Sequence, residues 1–175
     1  MAPSMQAPTS VKDVALDVLA APARAVMKSV PKCLPYASLK HAFDLLRSTG
    51  CGALPIVDAD DRLIGILTQR DLCEAACSEG KRFSELTVQS AMSFNVKGCS
   101  PHDSIARVLQ LMNDTQFHEV PVVDANDRVL GVIDMAAVAS FVSRAPKRDL
   151  QAEDALLKTI VAVSEPPPEY CTAAE

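Results

Sequence analysis

The sequence predicts an α+β domain in which two βαββα repeats pack sheet to sheet with pseudo-two-fold symmetry and carry flanking helices. Three observations lead there. Ordered identities recur at a fixed offset of 66 residues. Helical and strand periodicities alternate in the same order within both copies. The chain is 49% hydrophobic but only 4% aromatic and lacks Trp, so its core must be built from aliphatic side chains.

The duplication is plainest where PIVDADDRLIGIL (55–67) meets PVVDANDRVLGVI (121–133), and the same offset aligns CLPYASLKHAFDLL (33–46) with CSPHDSIARVLQLM (99–112). Paired identities include Cys33/Cys99, Pro35/Pro101, Ser38/Ser104, Asp58/Asp124, Arg62/Arg128 and Gly65/Gly131. Upstream, Met27 pairs with Met92 at an offset of 65. Shared composition cannot generate ordered identity; duplication can.

Each copy opens with a short strand ending at Pro35 or Pro101. A helix follows, with apolar residues at 39, 42, 43 and 46, or at 105, 108, 109 and 112, which is the helical period. Next come an apolar strand (54–57 or 120–123), a turn rich in Asp and Asn (58–61 or 124–127) and a second strand (62–67 or 128–133). Two strands joined so tightly form an antiparallel hairpin. A closing helix starts near Gln69 or Met135. One such unit leaves an apolar sheet face bare, and two units cover each other. The expected organisation is a disordered N-terminus (1–10), a lead-in helix (11–20), the first repeat (21–80), the second repeat (81–143), and a C-terminal helix with a Pro-rich tail (144–175).

Charge and hydropathy exclude other classes. The net charge of −5 and the short basic group Arg144, Lys147 and Arg148 argue against a nucleic-acid partner, which needs clustered cations for phosphate. No run of about 20 apolar residues offers a membrane span, and the N-terminus does not read as a signal peptide. A cytoplasmic location follows, and the six cysteines read as thiols. No nucleophile, base and acid set is apparent, so the chain is not expected to be an enzyme and needs no cofactor.

The duplicated Pro-x-Val-Asp, the glycine in the strand that follows, and the run Gly-Ile-Leu-Thr-Gln-Arg-Asp (65–71) resemble the cystathionine-β-synthase-type (CBS) domain, over about two thirds of the chain. The resemblance implies a pair of repeats with clefts between them, dimerisation into a disc of four repeats, and regulation of a partner by an adenosine-containing ligand. AMP, ADP, ATP and S-adenosylmethionine are the effectors it suggests, the ligand acting through a homodimer or an unknown protein partner. The family's ribose-holding motif is intact in the first repeat. Asp71 would accept from the ribose hydroxyls, Thr68 would meet ribose or phosphate oxygen, and Arg70 would supply the nearest positive charge. Ile66 would floor the site, while Thr87, Phe117 and His118 would grip the base from the other repeat.

The second repeat departs from the motif, with Asp134 at the Thr68 position and Ala137 at the Asp71 position. Ala cannot hold a ribose and a carboxylate repels phosphate, so one competent cleft per chain is expected. Gly52 and Ala53 stand where nucleotide-binding relatives often carry basic residues, which leaves ligands with fewer phosphates, and S-adenosylmethionine, open. Plainer readings coexist with these. Thr68 and Asp71 also make an ordinary helix start, His118 a structural hydrogen bond, Phe117 a core filler, and the whole module a ligand-free dimerisation unit. Cys73 and Cys77 share a helix face without further metal ligands at zinc-like spacing, so no metal is expected.

Overall fold

The computed structural model describes residues 18–78, 80–94, 96–145 and 149–164. The expectations for residues 1–10, for 11–17 of the lead-in helix and for the 165–175 tail lie outside the described residues; 18–20 are helical. Among the described residues no helix is long and apolar enough to cross a membrane.

The repeats fold as the sequence reading anticipates. The first contains α1 (Leu39–Thr49), β1 (Ala53–Val57), β2 (Leu63–Thr68) and α2 (Gln69–Ser78). After a short strand β3 (Ser93–Phe94), the second contains α3 (Ile105–Thr115), β4 (Glu119–Val123), β5 (Val129–Asp134) and α4 (Met135–Ser143). Ser38 and Ser104 cap α1 and α3 by accepting from the amides of His41 and Arg107, each at 3.2 Å. The hairpins β1–β2 and β4–β5 are antiparallel, with a register shift at the same place in both, between Ile56 and Val57 and between Val122 and Val123.

The repeated Asp of each turn has a mechanical role. Asp58 Oδ1 accepts from the amides of Asp60 and Arg62, both at 2.9 Å, and Asp124 Oδ1 does the same for Asn126 and Arg128 at 2.8 and 2.9 Å. These amide bonds also hold the Asp124 carboxyl below its ordinary value. Asp61 and Asp127 adopt positive φ of 67° and 62°, which closes the turns. The turns then bond to each other across the pseudo-two-fold: Leu63 N donates to Asp127 O at 2.9 Å and Val129 N to Asp61 O at 3.1 Å.

One aspect differs from the expectation. The short strand opening each repeat splits into two pieces. The Cys33 and Cys99 pieces run parallel to their own hairpins, against Ile56 and Val122. The pieces just upstream cross over. Lys28 exchanges two 2.9 Å backbone bonds with Val132 of the second repeat, and Ser93 and Phe94 pair with Ile66 and Gly65 of the first. The exchange continues at the helix starts. Ile105 N donates to Ala21 O and Ala23 N to Asp103 O, while Leu39 N donates to Leu86 O and Val88 N to Ala37 O. Ala23 and Val26 are therefore buried in the second repeat's core, and Leu86, Val88 and Met92 in the first's.

Strand alternation assigns the two faces. Leu54, Ile56 and Leu67 join the first repeat's helices in one core, and Val120, Val122 and Ile133 do so in the second. Their alternates Ala53, Pro55, Val57, Ile66, Val129 and Val132 are buried outside both clusters, on the faces turned to the opposite repeat.

A final helix, α5 (Leu150–Ser164), covers α3 and α4. Asp149 caps it, its Oδ1 accepting from Gln151 and Ala152 at 3.0 Å. Its buried stripe is Ala152, Leu156, Thr159 and Val163; Leu157 and Val161 face outward. The corresponding groove in the first repeat, floored by Phe43, Leu46, Leu72 and Phe83, stays open among the described residues.

Two stability predictions follow from this packing. A Cβ on Gly131 would lie 2.5 Å from Lys28 O and 2.7 Å from Met27 Cγ, a clash with the crossing backbone. Gly131→Ala is expected to cost about 1–3 kcal/mol, read by urea unfolding; an unchanged midpoint would contradict the strand exchange. Leu156→Ala is expected to cost about 2–4 kcal/mol, whereas Leu157→Ala stays within about 0.5 kcal/mol. Equal effects would show that α5 is not docked by its Leu156 face.

Candidate functional site

A cleft of about 440 Å³ opens between the β2–α2 junction of the first repeat and the segment leading into β4 of the second. The first repeat contributes Gly52, Thr68, Gln69, Arg70, Asp71 and Glu74; the other side contributes Ser93 and Gln116, Phe117, His118 and Glu119. The turn at the start of α2 brings Thr68 and Asp71 together. Thr68 donates to Asp71 Oδ2 twice, from its amide at 2.6 Å and its hydroxyl at 2.8 Å, and Asp71 N donates back to Thr68 Oγ1 at 3.2 Å. This reciprocal cap is the ordinary helix start read from the sequence. It also fixes the carboxylate: Oδ2 is held by Thr68, while Oδ1 accepts nothing from the described residues. Structural and binding readings of this pair are compatible, because the cap orients the acceptor.

Five of the seven site residues expected from the sequence line this cleft: Thr68, Arg70, Asp71, Phe117 and His118. Two do not. Ile66 is fully buried, because strand alternation turns it to the opposite sheet and not to the cleft floor. Thr87 precedes a short 3-10 turn and pairs with Ser38, where it secures the start of α1. His118 keeps a structural bond as well, donating from Nε2 to Val163 O in the last turn of α5 at 3.3 Å. A carbonyl can only accept, so Nε2 carries the proton.

Glu119 escaped the sequence reading. It is the first residue of β4, opposite Asp134 in register. Its carboxylate lies across Gly52, with Oε1 in the space where a side chain at 52 would begin. No described residue donates a hydrogen bond to it. Burial pushes its carboxyl above the ordinary value; the neighbouring His118 opposes the shift and Asp134 reinforces it. Two signals marked the position: a charge where the first repeat has Ala53, and glycine at 52.

The face of the second repeat that matches the Arg70, Asp71 and Glu74 wall borders a cleft of about 350 Å³, lined there by Ala136, Ala137 and Ser140 and by Lys28. Asp134 caps α4 through Ala137 N at 2.6 Å, and Lys28 Nζ pairs with the same carboxylate at 2.9 Å. This ion pair stands where the first cleft has Thr68 and Ser93.

Among the described residues no cysteine lines either cleft. Cys33 and Cys99 are buried, and burial raises both thiols, Cys99 to about 11 with help from Asp103. Cys73 and Cys77 are exposed on α2. Among the described residues no three potential metal ligands cluster.

A family model described as the CBS domain matches residues 23–78 and 88–144. Homoserine O-acetyltransferase of Methanosphaera stadtmanae is 29% identical over 66% of this chain and 23% of its own length. Hypoxic response protein 1 of Mycobacterium tuberculosis is 30% identical over 67% of this chain and 82% of its own length. The chain spans between 23% and 62% of the length of the first curated relatives it matches. Among solved structures, the CBS domain pair of protein MJ0100, in complex with 5-methylthioadenosine and S-adenosyl-L-methionine, superposes with a TM-score of 0.62 at 25% identity, over 69% of this chain and 98% of that one. Both repeats are matched and the paired fold is shared, so the chain belongs to the CBS-domain family, as a CBS domain pair.

Proposed function

We propose that this CBS pair is a regulatory sensor, working in the cytoplasm as a homodimer, that binds an adenosine-containing ligand in its first cleft and passes the signal to a protein partner. One observation carries the reading: an oriented carboxylate, Asp71, stands in a cleft of about 440 Å³ between the repeats with one oxygen unengaged by the described residues. Vicinal ribose hydroxyls are suited to such an acceptor, and charge-assisted bonds are the stronger kind. Phe117 offers a face for a purine and His118 a polar edge. The adenosine compounds in the MJ0100 complex support the same ligand class. Because the cleft is walled by both repeats, a ligand that bridges them biases their packing only as far as it binds the two arrangements differently.

The competing reading, a dimerisation module without a ligand, draws on the second repeat, where Asp134 stands at the Thr68 position and pairs with Lys28 at 2.9 Å.

Isothermal titration calorimetry of ligand-free protein with AMP, ADP, ATP and S-adenosylmethionine tests the proposal; binding of at least one is expected, and heat from none removes it. Asp71→Ala should weaken binding by roughly tenfold to a hundredfold, the range for a charge-assisted hydrogen bond. Because Asp71 also caps α2, the same change should cost about 1 kcal/mol of stability. Asp71→Asn keeps an acceptor for the cap and should remain folded while still binding more weakly. Full affinity in both variants would show that the ribose lies elsewhere.

A further inference from the structure

The lining of the first cleft is more acidic than a phosphate-binding site should be. Asp71 and Glu74 line one wall and Glu119 the other, against Arg70 and His118. The His118 ring meets a carbonyl in the last turn of α5, and a helix C-terminus carries partial negative charge. The N-terminus of α2, the natural counterweight, is largely spent. The Thr68 amide goes to Asp71, the Gln69 amide to Gly52 O at 3.2 Å, and the Asp71 amide to Thr68 Oγ1. An incoming phosphate would find few free N–H groups there.

Glu119 is the decisive member of this set. It reaches into the cleft over Gly52, half-buried and without a hydrogen-bond donor among the described residues. A partly desolvated carboxylate that receives no hydrogen bond is costly, and a cation or an N–H donor brought by a ligand relieves that cost. A phosphate adds to it.

We infer that Glu119 makes the cleft selective for adenosine-type molecules without phosphate, neutral or cationic such as a sulfonium, and sets it against nucleoside phosphates. The inference rests on the adenosine reading of the cleft and narrows it to one charge class. Glu119 acts here as a specificity residue; the ribose contact stays with Asp71.

Calorimetry on the full chain with adenosine, S-adenosylmethionine, AMP and ATP tests it, comparing the unmodified protein with Glu119→Gln and Glu119→Asp. The expected order is S-adenosylmethionine and adenosine tightest, then AMP, then ATP. In Glu119→Gln, S-adenosylmethionine should weaken by roughly tenfold, AMP and ATP should tighten by roughly tenfold, and adenosine should change by less than about twofold, since one nearby unit charge in a half-buried site is worth about a decade of affinity. Glu119→Asp keeps the charge and should keep the original order. ATP binding as tightly as adenosine, or a Glu119→Gln change that shifts all four compounds alike, overturns the selectivity and leaves the adenosine site standing. Binding of none of the four overturns both readings together.

Discussion

The rest of the structure depends on a close approach of backbones. At Gly65 and Gly131 the second hairpin strand of each repeat lies against a segment that belongs, in chain order, to the other repeat. A Cβ at either position would fall within 2.7 Å of a carbonyl oxygen, of Ser93 or Lys28 respectively. Absence of a side chain at these two points lets the lead-in segments close the sheets, and the closed sheets put the β2–α2 junction opposite the approach to β4. The cleft exists because of that juxtaposition. It is a property of the pair, since its walls come from both repeats.

Much of this was legible in the sequence. The offset of 66 residues gave the pairing of elements, and Ser38, Ser104, Asp58 and Asp124 behave as local chemistry demands, each bonding amides within four residues. Thr68, Asp71, Phe117 and His118 line one cleft. What stayed hidden is long-range. A lone bridge such as Lys28 with Val132 leaves no periodicity to read, so the exchanged strands were assigned to their own repeats. Ile66 lies outside the cleft lining, buried because the face a strand residue takes depends on which sheet packs behind it. Thr87 lies outside the cleft lining, in the exchanged segment that pairs with Ser38 at the start of α1. Glu119 was passed over because its meaning arises only with Gly52 beside it, 67 residues earlier in the chain.

The two clefts show how duplicated parts diverge under the same geometry. Both retain a capped helix start, through Thr68 in one and Asp134 in the other. In the first the carboxylate sits inside the helix turn, and its Oδ1 accepts nothing from the described residues. In the second it has moved to the cap position itself, where Lys28 engages it. Each helix start is capped either way, so the same backbone geometry accommodates both arrangements. Coverage diverged too: α5 screens the helices of the second repeat, while the matching groove of the first lies open among the described residues.

The exchange of lead-in segments also has a consequence during synthesis. The segment around Lys28 leaves the ribosome early, yet its ion-pair partner Asp134 comes 106 residues later. The first repeat can be completed once the stretch through Phe94 has emerged, but the residues from Ala21 to Lys28 have no place to rest until almost the whole pair is made. Contacts of such separation are slow to form and leave strand edges unpaired in the interval. A nascent chain halted between the repeats would therefore leave Val26 and Met27 without the second-repeat core that they pack against in the finished pair.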